Sequence, residues 1–300
     1  MQTKIKAIGK LFKTTFTEWN NKDPFRQSAV IAYYAIFSMP GLLVLIISIT
    51  GYFYGNDVAS QHILAEVSST MGAKTSEQIK EMLASASKSK SSVWASILGI
   101  VVLLVGATGV FVELQKTLNQ IWQVKVVAKK GILPILKARL FSFGLILAIA
   151  FLLVISLVVS SVLAAMSNWI TIDTSSFMVV VFKISNFILS LAIISILFAL
   201  MFKILPDAKI KWKHVWLGAI LTGVLFTLGE TALAFYFGKT NPASGYGAAG
   251  SVILILLWVS YSSMILFFGA EFTAAYANMH SDKVSPTEIG KEDSFHKLDS

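Results

Sequence analysis

Long apolar runs alternate with short polar, lysine-rich stretches along this chain. Six runs are long enough to cross a bilayer, at about residues 28–53, 93–114, 140–166, 177–205, 214–237 and 247–276. A hydrocarbon core roughly 30 Å thick takes about 20 mostly apolar residues at about 1.5 Å of rise each. The pattern therefore predicts an all-α, polytopic membrane protein with six transmembrane helices filling residues 28–277. Residues 1–27 read differently. Ile5, Ile8, Phe12, Phe16 and Trp19 recur at spacings of three or four, which places them on one helical face. Lys4, Lys6, Lys10 and Lys13 fall mostly elsewhere on the wheel, so an amphipathic helix lying in the cytoplasmic interface is expected. Pro24 suits the start of the next helix. The polar loop 56–92 carries two apolar clusters, Ile63, Leu64, Val67 and Met71, then Ile79, Met82 and Leu83. They predict a short helical extracytoplasmic loop. Residues 278–300 are polar, include Pro286, and are expected to be a disordered cytoplasmic tail.

Composition agrees with this pattern and narrows the chemistry. Of 300 residues, 55% are hydrophobic and 14% charged, and the mean hydropathy is +0.72. Soluble domains are about 45–50% apolar and about 25% charged. There is no cysteine, and His62, His214, His280 and His296 are scattered. No metal site, cofactor or thiol nucleophile is expected. The ATP-binding pattern G-x-x-x-x-G-K-[ST] is absent as well. A net charge of +9 would suggest nucleic acid in a soluble protein. Here the basic residues sit beside spans, where orientation and anionic lipid explain them. Lysine and arginine number six before Ser28, six from Lys116 through Arg139 and four from Lys203 through Lys213, against none in 168–176 and one, Lys239, in the last turn. The positive-inside bias then puts both termini in the cytoplasm.

Polar residues inside the spans are the candidates for function. An ionised group near the bilayer centre costs roughly 2.5–3.5 kcal/mol on insertion scales, so each needs a reason. Lys183, Asn186 and Glu230 lie in the outer halves of the fourth and fifth spans. Lys183 and Glu230 fall at similar depth, roughly 10 Å in at about 1.5 Å per residue, and are expected to pair. Arg26, Glu113 and Glu271 gather near the cytoplasmic boundary, where Arg26 is placed to bridge either acid. Tyr33, Tyr34 and Asn119 complete the substrate-path candidates. A buried, hydrogen-bonded pair can also be purely architectural, and that reading stands beside the functional one. Pro40 and Gly41 interrupt the first span, and a freed carbonyl there marks a kink or a hinge. Gly106, Gly109, Gly245, Gly247 and Gly250 are further hinge or packing candidates, since small residues let helices approach closely. Trp122 suits the aromatic belt.

Three stretches carry a family resemblance: Ala29 through Pro40, Gly106 through Trp122, and Ser244 through Phe272. Together they resemble the YihY/BrkB family of bacterial inner-membrane proteins across about residues 5–278. The resemblance implies a six-span protein of the bacterial inner membrane with no agreed catalytic residues. The ribonuclease label once attached to the family does not fit this sequence. Scattered histidines and isolated acids offer neither metal ligands nor an acid/base pair, and no aromatic-basic platform for RNA is visible.

The intramembrane polar groups, the interrupted first span, the glycine-rich entry to the last span and the basic cytoplasmic surfaces point to a transporter or flippase-like protein for an amphiphilic or envelope-related substrate. A non-transporting scaffold or assembly factor is the alternative, and a membrane-embedded lipid-modifying enzyme the third. No catalytic residue is assigned. Membrane lipids, chiefly anionic head groups at the cytoplasmic face, are the expected partners, with a homo-oligomer or envelope proteins left open and nucleic acid excluded. Reporter fusions test the topology. A fusion at Lys209 should read as cytoplasmic and one at Thr174 as periplasmic; a cytoplasmic Thr174 would invert the assignment.

Overall fold

In the computed structural model, the described residues are 2–38, 56–71, 73, 76–77, 79–81, 93–126, 176–240, 250–279, 285–286 and 290–292. The third span, Pro40, Gly41, Gly245 and Gly247 lie outside them, and the side chains of Lys183 and Asn186 are not described. The helices are α1 (Gln2–Asn21), α2 (24–38), α3 (Asn56–Met71), α4 (Val93–Ile121), α5 (Ser176–Ile204), α6 (Trp212–Thr240) and α7 (Gly250–Met279). Among the described residues, three helices are long and apolar enough to cross a membrane: α5 over Phe187–Ile204, α6 over Trp212–Phe237 and α7 over Val252–Met279. These correspond to the fourth, fifth and sixth spans of the hydrophobic pattern. Helix α4 starts at Val93, where the hydrophobic pattern starts its second run, and continues past Leu114 to Ile121.

Local chemistry sets the helix ends. Asp23 sits between α1 and α2 with φ of 50°, a left-handed conformation that Asp tolerates better than most residues. Pro24 follows as the first residue of α2, where its missing N–H costs nothing. The Gln27 N–H donates to the Asp23 carbonyl and starts the ladder. At the end of α4, Gln123 takes φ of 53° and turns the chain into β1 (Val124–Val126). Three further short strands follow: β2 (Ala208–Lys209), β3 (Ser285–Pro286) and β4 (Gly290–Glu292). β1 pairs antiparallel with β4, and β2 with β3. The tail after Asn278 thus contributes two short strands where the sequence pattern predicts none.

The chain divides into two units. The first comprises Met1–Trp19, Gln115–Leu225 and Leu266–Ser300. Here α1 packs antiparallel on the end of α7, with Leu11, Phe272 and Ala275 forming a core that Leu221 and Tyr276 extend. The Phe12 and Phe272 rings lie 5.3 Å apart, and Trp19 meets Phe268 edge-on at 5.9 Å. Ile8, Phe12 and Phe16 keep an exposed apolar stripe, while Leu11 and Thr15 supply the buried face. α6 and α7 run antiparallel and interlock reciprocally. A Cβ on Gly218 would fall 1.7 Å from Thr273 Oγ1, and a Cβ on Gly269 would fall 1.7 Å from Thr222 Oγ1. Each threonine hydroxyl donates within its own helix, Thr222 to the Gly218 carbonyl at 2.6 Å and Thr273 to the Gly269 carbonyl at 2.7 Å. The hydroxyls are thereby satisfied without water, and their bulk enters the space left by the facing glycine.

The second unit comprises Asn20–Leu114 and Phe226–Ile265. Tyr34 of α2 lies across Gly109 of α4, where an added Cβ would come within 2.3 Å of its ring. At Gly106 the neighbour is the α2 backbone itself, with Ser38 N only 2.9 Å from where a Cβ would stand. The two glycines of Gly106-Ala-Thr-Gly109 therefore act in packing. Tyr261 fills the space beside Gly229, Phe226 meets Trp258 edge-on, and Phe237 and Leu254 form a small core. In the loop, Ile79 is buried and Ser76 Oγ donates to the Leu64 carbonyl at 2.6 Å, seating the second helical piece on α3 as the apolar clusters predict.

Gly218→Ala tests the α6–α7 interlock. It should destabilise the protein by about 1–3 kcal/mol, the usual range for overpacking. Adding Thr273→Ala should recover part of that loss in thermal unfolding in detergent micelles. Two losses that simply add would show that the residues do not touch.

Candidate functional site

The first unit gathers polar side chains where α4 ends, α5 turns into α6, and α7 nears its C-terminus. Gln115 and Asn119 stand one turn apart on α4 and reach the same carboxylate. Asn119 Nδ2 donates to Asp207 Oδ2 at 2.8 Å, and the Asp207 backbone N–H donates to Asn119 Oδ1 at 2.7 Å. Gln115 Nε2 donates to the same Oδ2 at 3.3 Å. Asn119 is thus both donor and acceptor to one residue 88 positions away, which fixes the α5–α6 turn against α4. Leu205, Pro206, Ala208 and Ile210 around Asp207 are buried, which dries the contact and strengthens it. On the other side of the turn Lys203 donates from Nζ to the Ile210 carbonyl, and the same ammonium stands 5.7 Å from the centre of the Trp212 ring.

Deeper in the unit, His214 is 2% exposed and meets Tyr276 edge-on at 5.6 Å. Glu271 is 3% exposed on α7, flanked by the buried Ala270 and Phe272. Thr117 Oγ1 and Trp122 Nε1 are buried without a protein hydrogen-bond partner. Trp122, expected in an aromatic belt, is instead buried, because the turn after Ile121 folds its ring inward before β1 begins. Among the described residues, no group of three or more His, Asp or Glu is placed to hold a metal ion. The arrangement supplies hydrogen-bond donors and carboxylates in an apolar surround.

The sequence-predicted residues fare unequally. Asn119 and Glu271 are buried in the first unit. Arg26 is 70% exposed, and its ion pair is with Asp23 at 3.9 Å, one turn back. Glu113 and Glu230 are half-buried. Tyr34 is packed on Gly109, whereas Tyr33 is exposed and meets Tyr34 and Phe37 edge-on. Gly250 opens α7 and is buried. The Lys183–Glu230 pairing lies outside the described residues. Asp207 was not singled out from the sequence, although it is the one acid between Lys203 and Lys213 and so carries a signal. The G-x-x-x-T pattern recurs at Gly218/Thr222 and Gly269/Thr273, and it is the signal for the α6–α7 contact.

Buried polar residues within long apolar helices define a helical, multi-pass membrane protein, and its place is the bacterial inner membrane. The chain belongs to the family described as virulence factor BrkB, whose model matches residues 15–291. It is similar to a UPF0761 membrane protein of Saccharophagus degradans, 27% identical over 272 residues, covering 90% of this chain and 60% of that one. A UPF0761 membrane protein of Aggregatibacter aphrophilus is 27% identical over 283 residues, covering 92% of this chain and 95% of the relative. One from Pasteurella multocida is 30% identical over 190 residues, covering 61% and 55%. The chain thus spans less than two thirds of the length of some relatives it matches. No solved structure matches the chain.

Asn119→Ala should loosen the α5–α6 turn, at a cost of about 1–3 kcal/mol for the group left unsatisfied. Amide exchange at residues 205–210 should rise, and Asp207→Ala in the same chain should add little more. Independent, additive losses would show that the two residues do not act as one contact.

Proposed function

We propose that the protein is a transporter or flippase-like protein for an amphiphilic, envelope-related substrate. It has six spans, with both termini in the cytoplasm, and it is not an enzyme. The observation that carries this reading is Glu271, a carboxylate 3% exposed on a helix long and apolar enough to cross the bilayer. Enclosing a carboxylate among apolar side chains costs free energy, and a polar head group is the kind of ligand such a group suits. His214, buried in the same unit, is a second polar side chain within the apolar interior. The apolar remainder of the helices suits an amphiphile's chains. Basic loops at the cytoplasmic ends of the spans favour an anionic head group.

Purified protein in liposomes carrying fluorescent phospholipids should accelerate their exchange between leaflets. Glu271→Gln, which keeps size but replaces one carboxylate oxygen with an amide donor and removes the ionisable group, should reduce that rate at least tenfold with the fold retained. Absence of any exchange or uptake across a broad panel of lipids and envelope precursors would overturn the transport reading in favour of a scaffold.

A further inference from the structure

The segment after α7 runs back onto the first unit and ties two of its parts together. β1 follows α4, β2 lies in the turn between α5 and α6, and β3 and β4 both belong to the tail that follows α7. β3 pairs antiparallel with β2, with Ser285 opposite Lys209 and Pro286 opposite Ala208. β4 pairs antiparallel with β1, with Gly290 opposite Val126, Lys291 opposite Lys125 and Glu292 opposite Val124. All four strands fall in the first unit. One short stretch, 285–292, therefore bridges the end of α4 and the α5–α6 turn. Asn119 and Asp207 join the same two places, with Nδ2 and Oδ2 2.8 Å apart. This end of the unit is tied twice, once through side chains and once through the backbone of the tail.

The two ties differ in strength. Asn119 is buried, donates to Asp207 and accepts from it, and a dry surround strengthens both bonds. The strand pairs are short, three residues in β1 and two in β2. Even a longer two-stranded ribbon is at best marginally stable in water. Pro286 has no N–H, which removes one donor from the shorter pair. Buried Val124 and Ala208 give each pair one apolar anchor on the body of the unit. What brings the tail back is its tether: only a few residues separate Met279, the end of α7, from Ser285. Re-pairing is intramolecular and occurs at high effective concentration. Weak pairing on a short tether gives a segment that opens locally and closes again while the helices stay folded.

We propose that residues 285–292 form a reversible latch. Paired, they hold the α5–α6 turn to the end of α4; released, they leave the turn to its side-chain contacts. The latch stands on the strand pairing, and its role as a gate at this end of the unit rests on the transport reading. The chain has no cysteine, so introduced pairs can be read without background. Residues directly opposite in an antiparallel ladder have Cα atoms about 4.5–5.5 Å apart, within disulfide range. Lys209→Cys with Ser285→Cys, and Lys125→Cys with Lys291→Cys, each in the full chain in native membranes, should cross-link under mild oxidant. Val180→Cys with Ser285→Cys, where Val180 lies near the opposite end of α5, should not. Hydrogen exchange at residues 205–210 reads the hold on the turn. Deleting 282–300 should speed it about tenfold, and either oxidised pair should slow it about tenfold relative to its reduced form. If the deletion variant fails to fold, the oxidised and reduced pairs carry the comparison. Cross-linking no faster than in the Val180 control, or exchange at the turn that ignores the cross-link, would overturn the latch. In liposomes, oxidising either pair should cut lipid exchange between leaflets at least tenfold, and reductant should restore it. A locked protein that moves lipid as fast as the reduced one would overturn the gating role. A wild-type protein that moves no lipid would overturn the transport reading instead, and cross-linking with hydrogen exchange would still decide the latch.

Discussion

The close approach of α6 and α7 at Gly218–Thr273 and Thr222–Gly269 is the contact on which the first unit depends. In a bilayer the hydrophobic effect does not press helices together, since lipid tails are as apolar as leucine. Packing at short range has to do that work, and it demands small residues in register. The last third of α7 meets the demand with Gly269, Ala270, Thr273, Ala274 and Ala277, all buried. This makes α7 narrow enough to accept α6 on one side and α1 on another. Glu271 is enclosed within the same buried stretch, between Ala270 and Phe272.

A second constraint acts at the end of this unit. A turn between two spanning helices must satisfy its polar backbone while staying dry enough to pack. Asn119 resolves this at Asp207 by accepting from its N–H and donating to its carboxylate. Lys203 does the same for the Ile210 carbonyl. The turn is thereby fixed in place on both sides of β2. The orientation of α6 follows from it, with His214 and Val215 inward and Trp212 and Trp216 outward.

Much of the helical framework was legible in the sequence, because spanning helices announce themselves by length and α1 by its period. The fine direction of α1 was less so. Its predicted apolar stripe is present, yet Ile8, Phe12 and Phe16 stand exposed, and Leu11, outside that stripe, makes the core contact. Once both faces carry apolar residues, a helical wheel cannot say which one the protein takes. Asn119 was legible as a polar residue needing a reason. Its partner Asp207 was not, because a contact between residues so distant in sequence leaves no periodic trace. The expected role of Arg26 fared worst. A charge at a helix start can always find water, and it stands exposed beside Asp23.

The two faces of α6 connect these features. One face carries the glycine and threonine that lock it to α7, and hence to the helix bearing Glu271. The other carries the exposed indoles Trp212 and Trp216 and the aliphatic Ile220 and Val224. A side chain that shifted α6 along α7 by even one residue would break the Gly–Thr register and rotate the indoles by about 100°, given 3.6 residues per turn. The exposed stripe and the buried carboxylate are thus set by the same packing.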